Sequence, residues 1–222
     1  MDGNRRYGAA AHGDPLRGHA DGGKVLADFV EWCVDAGVAA LTVFAFSTEN
    51  WRRERREVDL LMDTLCEYCD RFRKDAVARN VRIRGLMTSA HRLPPSVLEA
   101  VANAERDTAA CTGLVLNICL SYGGREELAG ACRRIAEDVQ SGAMAASSID
   151  EDAIRDRLLT RHVGDPDVLI RTSGERRVSN FLLFQLAYTE LFFLEKHWPE
   201  VTRDDLSAVF DQYRARRRRY GR

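Results

Sequence analysis

Leu41-Thr42-Val43-Phe44-Ala45-Phe46 is a short apolar run, and Ser47-Thr48-Glu49-Asn50-Trp51-Arg52-Arg53 follows it directly. An apolar run of this length, bounded by polar residues, reads as a buried strand. Working outward, helix and strand patterns alternate. Upstream, Val25, Leu26, Phe29, Val30, Cys33 and Val34 form a helical stripe that Gly37 stops. Downstream, residues 58–77 read as a long amphipathic helix with Leu61, Met62, Leu65, Phe72 and Ala76 on its face. Residues 81–85 alternate like a strand, and Pro94-Pro95 open a helix carrying Val97, Leu98 and Val101. Residues 114–119 form a second buried strand, and Tyr122-Gly123-Gly124-Arg125 turns into another helix. A short strand at 168–170, an apolar helix at 181–187 and a strand at 191–194 follow. A basic-ended helix at 204–219 closes the chain, with Asp204 and Asp205 at its positive start. Buried strands alternating with helices predict an α/β fold around a mostly parallel central sheet flanked by helices.

The chain has 222 residues, enough to bury a core without disulfides or structural metals. No repeat interrupts it, and its one linker-like stretch, 141–148, is short, so it reads as a single domain over 1–222. Basic and acidic residues number 33 and 34, giving a net charge of −1. That balance argues against a polybasic nucleic-acid binder. Hydrophobic content of 45% argues against disorder. Arginine outnumbers lysine 30 to 3. Most of that excess serves solvated faces, but part of it suits a site that clamps phosphate or carboxylate in two-point fashion. The six cysteines include one close pair, Cys66 and Cys69, inside the helical pattern; they read as small hydrophobes in a reduced compartment. No leader-like pattern opens the sequence, and the apolar stretch 181–194 is broken by Gln185 and Glu190 and is too short to span a bilayer. The expectation is a cytoplasmic protein.

In parallel sheets ligands sit outside the carboxyl ends of the strands. The loops expected there, 47–56, 122–125 and 172–178, are polar and Arg-rich, which calls for an anionic ligand. No dinucleotide, P-loop or nucleophile-elbow motif is present, nor an Asp-rich run of the kind that binds metal–diphosphate in all-helical synthases. Three segments carry the chemistry instead. Asp2-Gly3-Asn4-Arg5-Arg6 offers a carboxylate for a divalent cation, a glycine for close backbone approach and two guanidinium groups. Residues 46–53 end a buried strand in a hydroxyl, an amide, an indole and two guanidinium groups. Residues 166–182 cluster Arg171, Arg176 and Arg177, with Ser179 at an expected helix start.

Taken together, these segments, with Tyr122-Gly-Gly-Arg125 and Trp198-Pro199, resemble the cis-prenyltransferase family of the undecaprenyl diphosphate synthase type, in the family's order over the whole chain. The resemblance implies a homodimer with a hydrophobic tunnel for a growing prenyl chain. It implies that Asp2 is catalytic and binds Mg²⁺, with Glu190 as the second metal carboxylate. It places Gly3, Asn4, Arg5, Arg6, Tyr7 and His19 on the allylic diphosphate. Ser47, Thr48, Glu49, Trp51 and Arg53 match a loop that closes over the substrate, and Asn50 takes the position assigned to proton abstraction. Arg171, Arg177, Val178 and Ser179 match the isopentenyl diphosphate clamp. Residues 219–221 match a tail that reaches a neighbouring subunit. The implied reaction joins isopentenyl diphosphate to an allylic diphosphate, farnesyl diphosphate first among primers, to give a medium-chain product; a short-chain product is the second choice. Apolar residues of the 58–77 helix line the tunnel as well as packing the core. A non-catalytic partner subunit is disfavoured because Asp2, Asn50, Arg171, Arg177 and Glu190 are all kept. A phosphoanion-binding module without turnover is the other alternative.

Several positions depart from the family pattern. Relatives carry an apolar strand before Asp-Gly-Asn, so the expectation is that the natural start lies upstream of Met1. Pro15 stands where many relatives have Arg, with Arg17 two residues on. Arg5 replaces a common Gly, Ser121 a common Asn, and Leu86-Met87-Thr88 a frequent Gly-Asp. His12, His91, His162 and His197 show no ligand spacing and read as surface or core residues. The basic end at 214–219 suits a helix C-terminus and, secondarily, peripheral contact with an anionic membrane surface.

Overall fold

The computed structural model describes residues 1–216. Contacts divide the chain into two compact units. One comprises Ala39–Asp165 and Val178–Ala187; the other comprises Met1–Val38, Pro166–Arg177 and the chain from Tyr188 onward.

The Ala39–Asp165 unit is built on three strands, β1 (Ala40–Ser47), β2 (Arg82–Leu86) and β3 (Val115–Tyr122), in the order β1-β3-β2 and all parallel. The two apolar runs that decide the fold are therefore neighbours, Ala40 opposite Val115 and Val43 opposite Ile118, with a register shift near Phe46 where β1 turns into its loop. α3 (Arg55–Ala78) and α4 (Pro95–Asp107) bring their apolar stripes together with this sheet. Phe46, Val58, Met62, Cys69, Val97, Val101 and Leu120 form the core there. Each such side chain, fully buried, contributes roughly 1.5–3 kcal/mol. Cys69 behaves as the small hydrophobe its helical position predicted, and burial pushes its thiol up to about 11. β2 is an edge strand whose outward N–H groups are covered: Ile83 N donates to Thr108 Oγ1 at 3.0 Å and Gly85 N to Glu105 Oε1 at 2.9 Å. α5 (Gly124–Gln140) follows β3, and the short α6 (Glu151–Arg155) lies beyond it.

The other unit holds β4 (Val168–Arg171) and β5 (Glu190–Phe193), parallel, with Val168 opposite Glu190 and Arg171 opposite Phe193. α1 (Asn4–His12) and α2 (Arg17–Asp35) pack closely enough that a Cβ on Gly18 would sit 1.9 Å from the Asn4 carbonyl oxygen, so only glycine fits there. Trp198 locks this pair from outside: its indole donates to Gly22 O at 2.8 Å and its ring lies 5.2 Å from that of Phe29. α7 (Arg203–Ala215) starts with a capping box in which Asp205 Oδ2 accepts Thr202 N at 2.8 Å, as the Asp204-Asp205 pair foretold.

Two elements differ from the sequence reading. Residues 181–187 are not a helix but a series of turns. Ser179, Asn180 and Leu182 take φ values of 49°, 63° and 42°, which no right-handed helix admits. The apolar residues bury by separate routes: the Phe181 ring stacks on Phe44 at 4.8 Å, and Gln185 points into a buried polar network. Ser179 therefore does not begin a helix, and the anion-binding helix start expected there is absent. In addition, α1 forms over Asn4–His12, where the sequence pattern assigned no helix. The basic run 217–219 and the segment 219–221 lie outside the described residues.

Candidate active site

In the unit that begins at Met1, the chain start is laced to the end of β4. Asp2 N donates to Thr172 Oγ1 at 2.8 Å, while Thr172 Oγ1 and Trp198 N donate to Asp2 O at 2.8 and 2.9 Å. Gly3 takes φ 95°, and a Cβ there would meet Ser173 Oγ at 2.5 Å and His197 Nδ1 at 2.6 Å. Only glycine permits this turn, and it aims the Asp2 carboxylate at Arg171: Nη2 lies 2.9 Å from Oδ2. The Gly3 amide donates to Asp2 Oδ1 at 2.8 Å. Burial alone raises the Asp2 carboxyl, but the Arg171 hydrogen bond and charge and the Gly3 amide outweigh it, so the group lies below the usual carboxylate range and is ionised at neutral pH.

Arg171 also donates to the Arg177 carbonyl, which fixes its fork. Glu175 bridges two more guanidinium groups, Arg6 at 3.1 Å and Arg177. Arg6 lies 3.7 Å from Asp2. Arg5 and Arg6 are exposed on α1, Tyr7 is half-buried beside them, and His19 sits in the first turn of α2. Asn4 turns its Oδ1 inward, against Gly22. Asp2, Gly3, Arg6, Arg171 and Arg177 thus form one anion-seeking cluster, whose three positive charges exceed the two carboxylates of Asp2 and Glu175 by one.

The neighbouring Ser173, also at positive φ (76°), shares a hydrogen bond of 2.6 Å with His197 Nδ1. His197 showed no pattern in sequence because its partner is 24 positions away.

In the Ala39–Asp165 unit, the loop after β1 is a 3-10 turn over Thr48–Arg52. Asn50 Oδ1 caps it by accepting Ser47 N at 3.0 Å. Trp51 donates to Ser121 Oγ at 2.9 Å, and the Arg92 guanidinium lies 5.0 Å from its ring centre. Arg53 is held by the buried Glu57 at 2.8 Å. Ser121, which stands where Asn is common, adopts φ 45° and becomes the Trp51 acceptor. Thr88, within the other substituted stretch, donates to Ser121 O at 3.1 Å and accepts Gly123 N at 3.1 Å.

Asn180 joins these loops and was not anticipated. Its Nδ2 donates to Glu49 Oε1 at 2.8 Å, its Oδ1 accepts Arg125 N at 2.9 Å, and its carbonyl accepts Gly124 N at 2.8 Å. Burial raises the Glu49 carboxyl, but the Asn180 amide and nearby hydroxyl and backbone donors bring it below the ordinary value. One amide thereby ties Val178 and Ser179 to the loop of Ser47, Thr48 and Asn50. The signal in sequence was Ser-Asn beside the arginines, read only for its serine.

A divalent cation fits Asp2 in the way Mg²⁺ is usually bound, by one or two carboxylates completed by substrate phosphates and water. The Asp2 side chain is 35% exposed, leaving an approach for a cation. Glu190 does not join it. It starts β5, opposite Val168, whereas Arg171 at the far end of β4 contacts Asp2. Three residues of strand, on the order of 10 Å, separate the Glu190 end from the Arg171 end. Glu190 pairs instead with Arg216, whose guanidinium also lies 4.3 Å from the Phe192 ring centre.

The chain matches the family model described as "Putative undecaprenyl diphosphate synthase" over residues 1–221. It is 42% identical to a tritrans,polycis-undecaprenyl-diphosphate synthase (geranylgeranyl-diphosphate specific) of Pyrococcus horikoshii, over all of this chain and 84% of that one. It is also 42% identical to a ditrans,polycis-undecaprenyl-diphosphate synthase ((2E,6E)-farnesyl-diphosphate specific) of Lactiplantibacillus plantarum, over all of this chain and 86% of that one. The crystal structure of lavandulyl diphosphate synthase from Lavandula x intermedia, in complex with dimethylallyl diphosphate, superposes with a TM-score of 0.96 at 32% identity, covering 100% of this chain and 95% of that one. The chain belongs to the undecaprenyl diphosphate synthase family of prenyltransferases. Its α/β architecture with parallel strands is that family's fold.

Proposed function

We propose that this protein is a Mg²⁺-dependent cis-prenyltransferase. It joins isopentenyl diphosphate to an allylic diphosphate, farnesyl diphosphate being the preferred primer, and yields a medium-chain Z-polyprenyl diphosphate. The observation that carries the proposal is the ionised Asp2 carboxylate, aimed by the Gly3 turn and held at 2.9 Å by Arg171. A carboxylate beside a cluster of guanidinium groups suits a metal–diphosphate leaving group, whose growing charge both kinds of group stabilise.

Bound Mg²⁺ would supply charge neutralisation on the departing diphosphate. The chain does the rest. Arg6 exchanges its contacts to Asp2 and Glu175 for allylic phosphate oxygens, with Gly3, Asn4, Arg5, Tyr7 and His19 around them. Arg171, Arg177, Val178 and Ser179 bind the diphosphate of isopentenyl diphosphate. The allylic C–O bond breaks, the isopentenyl double bond attacks that carbon, and a proton leaves. Asn50 is the group through which the proton departs; one lone pair of its Oδ1 holds Ser47 N, and the second is available. Trp51, Arg53 and the capped turn exclude water. The apolar face of α3, with Leu61, Leu65 and Cys66 half-buried beside the core, guides the growing chain. Two copies assemble as a homodimer, and the protein works in the cytoplasm with its product at a membrane surface. Among the described residues no helix is long and apolar enough to cross a membrane.

Products made from labelled isopentenyl diphosphate with dimethylallyl, farnesyl or geranylgeranyl diphosphate, sized by chromatography, test the assignment. A product ladder richest with farnesyl diphosphate and ending at medium length supports it. One condensation on dimethylallyl diphosphate alone would replace it with a short-chain synthase.

A further inference from the structure

Thr42, Asn117 and Arg84 form a row across the three-stranded sheet, set by the β1-β3-β2 register. Asn117 is fully buried and commits its amide to this row. Its Nδ2 donates to Thr42 Oγ1 at 3.1 Å, and its Oδ1 lies 3.0 Å from His162 Nε2. His162 therefore covers this face. Arg82 shares it with Arg84, because side chains two apart on a strand point the same way. The opposite face of β2 is occupied: Ile83 is buried, and a Cβ on Gly85 would lie 2.6 Å from Val101 of α4. Arg161 precedes His162 and completes the group.

Among the described residues these arginines have no carboxylate partner. Elsewhere arginines find carboxylates, as Arg73 does on Asp107 and Arg157 on Asp138. Among the described residues, none of Arg82, Arg84 and Arg161 has one. Burial and the charges of Arg84, Arg161 and Arg82 push His162 below the ordinary histidine value, against a hydrogen bond that the ring donates to the Leu159 backbone carbonyl, which favours its charged form.

We propose that Arg82, Arg84, Arg161 and His162 form a second anion site for free phosphate or pyrophosphate, at the starting ends of β2 and β3 and so away from the loops that follow the strands. Three guanidinium groups give diverging donors, which suit a tetrahedral phosphate better than a planar carboxylate. The site does not depend on the prenyltransferase assignment.

The test is calorimetric titration of the whole chain with inorganic phosphate and with inorganic pyrophosphate, without Mg²⁺, alongside NMR titration of the His162 ring. The Arg171→Ala variant should retain one binding event, and that event should be lost in the Arg82→Gln/Arg84→Gln variant. The better-bound of the two ions identifies the ligand. His162 should titrate about one unit or more higher with the ion bound, as an opposite charge close to the ring requires. The wild-type NMR arm needs no substitution, so a variant that fails to fold leaves the test intact. His162 resonances unmoved by both ions would overturn the proposal, as would a folded double variant that binds like the wild type.

Discussion

At the residue scale, Asp2 does two jobs with one carboxylate: it neutralises Arg171 and faces solvent where a cation can approach. Because its value is depressed on folding, the stability it contributes is fully present above the ordinary carboxylate range and is lost only as pH falls through the lower folded value. Thermal melts of the wild type and the Asp2→Asn variant should therefore differ by a constant amount from neutrality down to about pH 5, and the difference should shrink as pH falls below the ordinary carboxylate range. The same variant should lose at least about 100-fold in kcat, the scale of removing one electrostatic stabiliser from a reacting centre. Tyr122 is a second residue-scale case. Its hydroxyl donates to buried Glu127 at 2.6 Å, and burial, with the Glu127 charge, raises it far above an ordinary phenol. Tyr122→Phe should cost roughly 1.5–3 kcal/mol by denaturant unfolding, because a buried carboxylate loses a donor.

At the scale of elements, the turns over 178–187 decide how the serine-bearing segment is held. Asn180 fixes them to Glu49 and Arg125, and Gln185 fixes them to Glu127 at 3.0 Å. Asn180→Ala should raise the KM for isopentenyl diphosphate about tenfold, as expected where a neutral-to-charged hydrogen bond is lost. Asn180→Asp should be worse, since it would face Glu49 with a like charge. A role in bulk stability alone would instead lower the melting temperature and leave KM unchanged. These turns also show where sequence reading runs out. Phe181, Leu182, Leu183, Phe184 and Leu186 have the composition of a buried helix, and nothing local announces that Ser179, Asn180 and Leu182 will be left-handed. That choice is set by Glu49, Glu127 and Phe44, distant in sequence. α1 was missed for the opposite reason: Asn-Arg-Arg-Tyr-Gly-Ala-Ala-Ala-His has no apolar stripe, and the helix is held by glycine contacts to α2. β3 was legible because near-continuous burial demands apolarity, β1 because its run is apolar although only Val43 and Phe46 are fully buried, and α3 because its stripe packs one face. Motif spacing made the loop residues recognisable, but it did not show that Glu190 would pair with Arg216, away from Asp2.

At the scale of the whole molecule, α3 carries both fully buried and half-buried apolar residues. Met62 and Cys69 are core; Leu61, Leu65 and Cys66 are half-exposed. If those positions face the growing product, Leu65→Trp should shorten the product distribution while leaving the first condensation within about twofold of wild type. An unchanged distribution would place the chain elsewhere. The two relatives at 42% identity are named for different primers. The claim on which the account rests is that Asp2, set by its glycine turn against Arg171, works with Mg²⁺ on an allylic diphosphate. The most direct measurement is incorporation of labelled isopentenyl diphosphate onto farnesyl diphosphate by wild type and Asp2→Asn, with Mg²⁺ and with excess EDTA. The account predicts a ladder of defined length from wild type, abolished by EDTA and by the substitution. Turnover that persists in EDTA or in Asp2→Asn, or no turnover by a wild-type chain that still binds both diphosphates, would contradict it.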